Sequence, residues 1–476
     1  MTVLNEVETI VYAVTAMEKD IAKICLRMRV KYSLFVVYYC HRDMNISKDL
    51  VIKKLDNEYI IMSTISLSII KFDKEGYENF SKCNFDYFEK DKLDYLKNNF
   101  FIIDEDVSSK SIKEFLMDND RLNQKVFSSY IAFSTLCNFA CVYCFEEGQS
   151  DRKKIMSLEV LDNVINWYEK KIIENNYSKI RVELFGGEPL IHKDLIKIFI
   201  TKLNDVIKKH HCELEIGIVT NGYLLDNDIV NFLNMHGLYE IQITIDGVGE
   251  VHDKRRPLRN GKGTFDIIMN NVKNLNKFNG RILFRVSFDE NNINDVETTL
   301  LYLSKLKLNN EHEIYIAPIH QTKEQVCNKC SYCSRNVNDD SKKMISLYKR
   351  LFTYMKSIGL KIPKYYTNGP CMFVSKDTVL INQLGDLYKC VEMIDIKDLS
   401  VGNVMESNYN GLYYNFTAKP LFKKCIEKDC KYVCLCGGGC AMQSIVENKN
   451  NIKLQCEYEY FEELLPFLME LNYGKK

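Results

Sequence analysis

The chain has 476 residues, of which 46% are hydrophobic and 27% are charged, as expected for a globular protein of two or three domains. Lys plus Arg and Asp plus Glu balance at 64 each, so no net charge favours nucleic acid or a membrane surface as a partner. Neither a bilayer-spanning apolar stretch nor a signal peptide is found, and we therefore expect a cytoplasmic protein with reduced thiols.

Residues 1–125 are predicted to form an N-terminal α+β module. The apolar and β-branched runs predict strands at 32–39, 58–62, 64–72 and 100–103 and a helix over 88–99. Such a module can bind a peptide by adding it to an exposed strand edge, and a simple packing extension is the alternative. The charged, Ser-rich stretch 104–124 is predicted to be a linker.

Residues 126–325 alternate apolar runs of strand length with amphipathic helical stretches. Strands are predicted at 130–134, 180–185, 214–219, 239–245, 281–288 and 313–317, with helices near 158–175, 193–210, 226–236, 264–278 and 294–307. Ser157, Asp226 and Thr264 are predicted N-caps. This alternation predicts a parallel sheet in an α/β fold, an open or partial barrel of six units, with ligands at the carboxyl ends of the strands.

Three cysteines, Cys137, Cys141 and Cys144, follow the first of these strands. Thiolates spaced C-x3-C-x2-C can face one metal centre from a single loop, and they suit iron–sulfur clusters or zinc. Because both usually take four ligands, three cysteines indicate an open coordination position.

Further motifs follow the next strands. Gly186-Gly187-Glu188-Pro189 comes after the second strand, Thr220-Asn221-Gly222 after the third, and Thr244-Ile245-Asp246-Gly247 followed by His252 to Arg256 after the fourth. Each motif alone is compatible with an ordinary turn. Because the carboxyl ends of parallel strands meet at one edge of a sheet, together they predict a shared ligand site.

These motifs, in this order over about residues 126–320, resemble the radical S-adenosylmethionine (SAM) superfamily. The resemblance implies a partial (β/α)6 barrel with a [4Fe–4S] cluster on Cys137, Cys141 and Cys144, whose remaining iron binds the amino and carboxylate groups of SAM. Zinc on these cysteines is the alternative. The implied chemistry is transfer of one electron, from a donor such as flavodoxin or ferredoxin, to give a 5′-deoxyadenosyl radical inside a closed barrel mouth.

The resemblance also implies SAM contacts. Glu188 would bind the methionine ammonium, Tyr143 would lie by the adenine, and Thr244 would contact the ribose or the carboxylate. Arg255, Arg256 or Arg285 would pair with the carboxylate. The full set of residues predicted to bind this cofactor is Tyr143, Gly186, Gly187, Glu188, Pro189, Asn221, Thr244, Asp246 and Arg255.

Eleven of the 18 cysteines lie in residues 326–476, which are predicted to form a loop-rich C-terminal domain. In this context the region resembles the SPASM domain, which carries two auxiliary [4Fe–4S] clusters and would bring the total to three. The resemblance implies one cluster on Cys425, Cys430, Cys436 and Cys456 and another on Cys371, Cys390 and Cys440. Cys425 lies two residues further from Cys430 than the family pattern C-x2-C-x5-C-x3-C requires, and Cys434 is an alternative ligand.

The second set lacks a fourth cysteine. We interpret the gap as an iron open to a substrate thiolate, as in family members that form thioethers in Cys-rich peptides. Cys327, Cys330 and Cys333, in an insertion at 326–340, could instead supply this ligand, bind zinc or bind another cluster.

The predicted function is therefore a peptide maturase that forms a thioether in a ribosomally made, Cys-containing precursor peptide, with no nucleic acid or membrane partner. Sulfatase-type oxidation of Cys or Ser is an alternative, although those enzymes have Asp where this chain has Val391. Radical carbon–carbon cross-linking of a peptide is another. A zinc-stapled peptide-binding protein is the alternative from a different class.

Overall fold

The computed structural model describes residues 44–144, 146, 154–289, 292–319, 341–363, 371–406, 408–418, 420–442, 445, 454 and 456–474. The predicted strand at 32–39 and the cysteines of the 326–340 insertion lie outside these residues. Within the described ranges, no helix is both long enough and apolar enough to cross a membrane.

Two small antiparallel sheets and two helices form the N-terminal part. The elements are β1 (Met44–Ile46), β2 (Leu50–Lys54), β3 (Glu58–Ser63), β4 (Ile69–Asp73), α1 (Lys74–Ser81), α2 (Lys90–Asn98) and β5 (Ile102–Asp104). The order β2-β3-β4 makes one sheet, and β1 pairs with β5. One face of the larger sheet packs on α1 and α2 through Phe72, Phe80 and Leu96. Its other face packs on the C-terminal helix through Ile60 and Phe461.

The predicted linker is wrong, because residues 104–124 contain the helix α3 (Ser109–Leu122). The Ser108 side chain caps it by accepting a hydrogen bond from the backbone N–H of Ser111 at 3.4 Å. Ile112 and Lys113 are buried. The buried face of this helix includes a lysine, which is a residue type usually found at the surface. Composition alone therefore indicated a solvent-exposed linker.

Six parallel strands and their helices confirm the predicted partial (β/α)6 fold. They are β6 (Val126–Ala132), α4 (Leu158–Asn175), β7 (Lys179–Phe185), α5 (Lys193–Lys209), β8 (Glu213–Thr220), α6 (Asn227–Asn234), β9 (Leu238–Thr244), α7 (Glu250–Arg255), α8 (Phe265–Lys273), β10 (Arg281–Phe288), α9 (Ile293–Ser304) and β11 (Glu311–Pro318). The strands lie in sequence order from β6 to β11, each parallel to the next. The sheet does not close, because β6 pairs with a later strand rather than with β11.

The helix starts show how local chemistry fixes these units. Ser157 accepts from the N–H of Val160 at 3.2 Å, and Asp226 accepts from the N–H of Ile229 at 3.0 Å, so both predicted caps are confirmed. Thr264 also precedes its helix, but its hydroxyl donates to the carbonyl of Arg256 at 2.8 Å. Asp253 accepts instead from the N–H groups of Thr264 and Phe265.

The C-terminal region continues the barrel sheet. Its elements are α10 (Ser341–Ser357), β12 (Thr378–Ile381), β13 (Asp386–Tyr388), β14 (Gly402–Asn403), α11 (Gly411–Ala418), α12 (Phe422–Glu427), α13 (Val433–Cys436) and α14 (Tyr458–Tyr473). Strand β12 runs parallel to β6, and β13 and β14 follow it antiparallel. Cys390 comes two residues after β13 and is therefore placed beside the barrel. The domain limits 1–125, 126–325 and 326–476 stay predictions.

Candidate active site

The cysteine loop after β6 rests on the segment that follows α7. The N–H groups of Ala140 and Val142 donate to the carbonyls of Pro257 and Arg255 at 2.8 and 3.0 Å. The Arg259 side chain donates through Nε to the carbonyl of Cys137 at 2.7 Å. The segment containing the motif 252–256 therefore supports the backbone that carries the cysteines.

The paired glycines allow the turn after β7 to approach this loop. A Cβ on Gly186 would lie 2.5 Å from the carbonyl oxygen of Ser134, and one on Gly187 would lie 2.3 Å from that of Leu136. Gly186 also has φ +122°, a conformation that side chains disfavour. The close approach that requires glycine is thus made to the protein backbone before Cys137. Buried Pro189 begins the short 3-10 helix Pro189–His192 directly after it.

Glu188 is fully buried and held by three donors. Its Oε1 accepts from Thr220 Oγ1 at 2.7 Å and from the N–H of Leu190 at 3.0 Å, and its Oε2 accepts from the N–H of Asn221 at 2.7 Å. Burial raises the pKa of this carboxyl, and the hydrogen bonds oppose the rise. A carboxylate can accept about four hydrogen bonds, so about one acceptor position remains for a ligand.

Asn221 links the third strand of the barrel to the first cysteine. Its Nδ2 donates to Asn138 Oδ1 at 2.8 Å and lies 3.9 Å from Cys137 Sγ. Burial raises the pKa of Cys137 to about 12, and the neighbouring charges of Cys141 and Cys144 contribute to the rise. The fold therefore brings Cys137 close to the other two predicted ligands, and a bound metal would favour its thiolate form.

Tyr143 and Asp246 join the cysteine loop to the end of β9. The Tyr143 phenol donates to Asp246 Oδ2 at 2.5 Å and accepts from Arg256 Nη1 at 2.7 Å. Asp246 is 1% exposed, and its Oδ1 has no hydrogen-bond partner among the residues that the structure describes. Burial raises the pKa of this carboxyl, while Arg256 and Tyr143 oppose the rise. An unpaired buried oxygen of this kind is available to a ligand donor.

Arg255 is occupied by protein carboxylates. Its guanidinium forms two hydrogen bonds with Asp289, at 3.2 and 2.8 Å, and its Nε lies 3.6 Å from Asp246.

Arg285 lies on β10 opposite Thr244 of β9 and Tyr315 of β11. In the described part of the chain, the buried Nε atoms of Arg255 and Arg285 both have no hydrogen-bond partner, but the terminal nitrogens of Arg255 are held by Asp289. Of the three arginines proposed for a ligand carboxylate, Arg285 is therefore better placed than Arg255.

Sequence reasoning missed the polar residues after the fifth strand. Asn292 donates through Nδ2 to the carbonyls of Asp246 and Ser287 at 2.8 and 2.9 Å, and Asp289 holds Arg255. Both follow β10 directly, so the rule that places ligands at carboxyl ends of strands would have found them. Thr220, the donor to Glu188, lay within a recognised motif but was given no role.

Several of the C-terminal cysteines lie near one another in the structure. Burial raises the pKa of Cys390, and the charges of Glu392, Cys371 and Cys440 raise it further. Burial likewise raises the pKa of Cys425 to about 11, with added effects from Cys430 and Cys456. Cys436 neighbours Cys425 in turn, and Cys434 packs close to the same group.

These groups are looser than a site for one ion. Among the described residues, no three Cys, His, Asp or Glu side chains are arranged to hold a single metal ion. A [4Fe–4S] cluster takes one thiolate per iron, so its ligands need not converge on one point. Thiol donors of this kind suit either iron–sulfur clusters or zinc.

Most of the barrel matches a known family model. Residues 131–303 match the sequence model of the radical SAM superfamily. A cysteine-type anaerobic sulfatase-maturating enzyme of Clostridium novyi is 23% identical over 347 residues, which cover 68% of this chain and 90% of that enzyme. The radical SAM cyclopropyl synthase TigE of Paramaledivibacter caminithermalis is 26% identical over 295 residues, which cover 54% of this chain and 60% of TigE.

Two solved structures share the fold. The enzyme anSMEcpe with bound AdoMet superposes with a TM-score of 0.56 at 18% identity, covering 74% of this chain and 96% of its own. SuiB of Streptococcus suis bound to S-adenosylmethionine gives a TM-score of 0.51 at 13% identity, covering 87% of this chain and 99% of SuiB. The SuiB alignment therefore extends over more of this chain than the barrel alone.

Proposed function

We propose that this chain, an enzyme with a radical SAM domain, modifies a Cys-containing, ribosomally made peptide and joins the cysteine sulfur to a carbon atom. One observation carries the proposal: the Arg285 guanidinium lies close enough to influence a carboxyl group in each of the two cysteine regions. Burial raises the pKa of both Asp246 and Glu392, and the Arg285 guanidinium opposes the rise at each. Asp246 belongs to the predicted SAM site, and Glu392 lies two residues after Cys390.

The residues of the barrel mouth fit SAM and its cluster. Cys137, Cys141 and Cys144 would hold the cluster. Glu188, with one acceptor position left, would hold the ammonium, and Arg285 would pair with the carboxylate. Asp246 Oδ1 would accept a hydrogen bond from a ligand donor. When bound, the cluster and SAM would supply a 5′-deoxyadenosyl radical.

The peptide would bind to the face of the barrel sheet that carries Tyr130 and Tyr315. Tyr130 on β6 and Tyr315 on β11 are partly buried, and Tyr315 donates to Gln242 Oε1 at 3.1 Å. Burial raises the pKa of Tyr130 to about 12, and Glu183, Tyr315 and Cys390 add to the rise. Tyr130 thus lies near Cys390 and Tyr315. A substrate residue bound here would lie between the SAM residues and the cysteines proposed for the first auxiliary cluster.

Cys371, Cys390 and Cys440 would hold that auxiliary cluster with one iron open to the substrate thiolate. The cluster would supply binding of the substrate sulfur as a thiolate and would accept the one electron released when that sulfur joins the carbon radical. The second auxiliary cluster would use Cys425, Cys430, Cys436 and Cys456. Three clusters correspond to about twelve iron atoms per chain. Iron analysis of the anaerobically purified protein would measure this content.

A sulfatase-maturase type of oxidation is the second candidate, favoured by the match to the Clostridium novyi enzyme over 90% of its length. Co-expression with small Cys-containing reading frames beside the gene, followed by mass spectrometry, would separate the two. A loss of two hydrogens with a fragment-resistant bridge to a cysteine supports the thioether. Oxidation of one residue without a bridge supports the second candidate. A bridge that persists when every peptide Cys is changed to Ser contradicts the thioether.

A further inference from the structure

A lysine and an aspartate are completely buried where the N-terminal part meets the C-terminal cysteines. Lys113 on α3 and Asp49, just before β2, have no exposed side-chain surface, and Lys113 Nζ lies 2.7 Å from Asp49 Oδ1. Charged side chains are seldom fully buried unless they are paired. Because burying two charges has a desolvation cost, the pair is not in itself evidence of added stability.

The same ammonium reaches the cysteine region. Lys113 Nζ donates to the carbonyl of Cys430 at 3.3 Å and lies 3.4 Å from Asp429 Oδ1. The next residue is also held, because the Thr64 hydroxyl donates to the carbonyl of Lys431. Three consecutive residues, 429–431, are therefore contacted by side chains from the N-terminal part.

The backbone at Asp429 has an unusual conformation, and its side chain is held by two lysines. Asp429 has φ +56°, a left-handed conformation that is uncommon for residues other than glycine. Its carboxylate is paired with Lys48 as well as with Lys113. The N–H of Cys430 donates to the carbonyl of Cys425 at 2.9 Å, so the turn also sets the relation between two proposed ligands.

We propose that Lys113 is a positioning residue for Cys430, and that through it the N-terminal part tunes the auxiliary cluster on Cys425, Cys430, Cys436 and Cys456. This inference rests on the cluster assignment of the proposed function. By binding the Cys430 carbonyl, the ammonium orients the peptide plane that follows the ligand. A buried cation beside the cluster also stabilises the additional negative charge of the reduced state, which raises the reduction potential.

The test compares two variants that differ only in the ammonium. Asp49→Asn keeps the Lys113 amine beside Asp429, and Asp49→Asn with Lys113→Met removes that amine without leaving an unpaired buried carboxylate. Both are made in a full-length background with Cys137, Cys141 and Cys144 changed to Ala, which leaves only the auxiliary clusters. Lys97→Gln is the matched control, because Lys97 is an exposed lysine of the N-terminal part, on α2.

Redox titration followed by electron paramagnetic resonance gives the readout. We expect the double variant to have a more negative potential and an altered signal for one cluster compared with Asp49→Asn, while Lys97→Gln equals the background. A folded double variant that loses about four iron atoms per chain supports the inference equally. Identical potentials and spectra in the two variants would overturn it. A background protein without auxiliary iron would instead refute the cluster assignment of the proposed function.

Discussion

The phenol of Tyr143 donates a hydrogen bond to Asp246 Oδ2 at 2.5 Å across 103 positions of sequence. Arg256 donates to the same phenol oxygen at 2.7 Å. The cysteine loop and the end of β9 therefore share one buried polar network. Because buried hydrogen bonds of this kind are costly to leave unmade, a change at one residue is expected to displace the others.

Tyr143→Phe should weaken SAM binding. The change removes the donor that holds Asp246, whose Oδ1 would accept from the ligand, and losing that hydrogen bond at about 1–3 kcal/mol corresponds to about a 5- to 150-fold higher Kd. Calorimetry with SAM and the reconstituted protein measures the effect. Tyr302→Phe, on α9, is the control and should bind SAM normally. Equal affinity of Tyr143→Phe and the parent would contradict the proposed role.

Cys141→Ala should abolish 5′-deoxyadenosine release in the presence of reductant. The cluster in the barrel mouth would lose one of its three protein ligands, whereas the C-terminal cysteines lie elsewhere. We expect about eight of about twelve iron atoms per chain to remain. Cys212→Ala is the matched control, since that thiol contacts only the backbone carbonyls of Tyr177 and His210 among the described residues. Undiminished release by Cys141→Ala would refute the assignment.

Gly187→Ala should impair assembly of the cluster in the barrel mouth. Its Cβ would lie 2.3 Å from the Leu136 carbonyl oxygen, so the backbone before Cys137 must move. Overpacking of this kind typically costs about 1–3 kcal/mol. Iron content and the thermal midpoint measure the two effects. Gly411→Ala is the control, because an added Cβ there meets nothing within 4 Å. Normal iron content in Gly187→Ala would show that the close approach is not needed.

Glu215 should contribute to the acid sensitivity of the barrel. Burial raises its pKa, but hydrogen bonds from Lys179 at 2.5 Å and Arg181 at 2.9 and 2.6 Å outweigh that effect and lower the pKa below its ordinary value of 4.5. Because the folded pKa is depressed, the stabilisation is complete above pH 4.5 and is lost as pH falls through the folded pKa.

Thermal midpoints at several pH values test this expectation. Glu215→Gln should lower the midpoint at neutral pH and flatten its fall in acid. Glu250→Gln, at an exposed helical pair with Lys254, should change neither. An unchanged acid profile for Glu215→Gln would show that the pair does not contribute.

The sequence alone determined the alternation of the barrel and the place of its motifs. Strands β6 to β11 and helices such as α4 could be predicted because burial of one face imposes a local period on apolar residues. The motifs at Cys137, Glu188 and Asp246 follow strand ends, and parallel pairing places all such ends at one edge. Both inferences depend on the order of neighbouring residues, namely the apolar periodicity and the motifs at strand ends, which can be observed directly in the sequence.

The tertiary structure decided the partners. Arg255 binds Asp289, Gly187 faces the Leu136 carbonyl, β12 pairs with β6, and Lys113 is buried against Asp49 in a segment that composition marked as a linker. Each of these contacts joins residues far apart in the sequence. Which donor meets which acceptor depends on the packing of whole elements, and no local period in the chain encodes it.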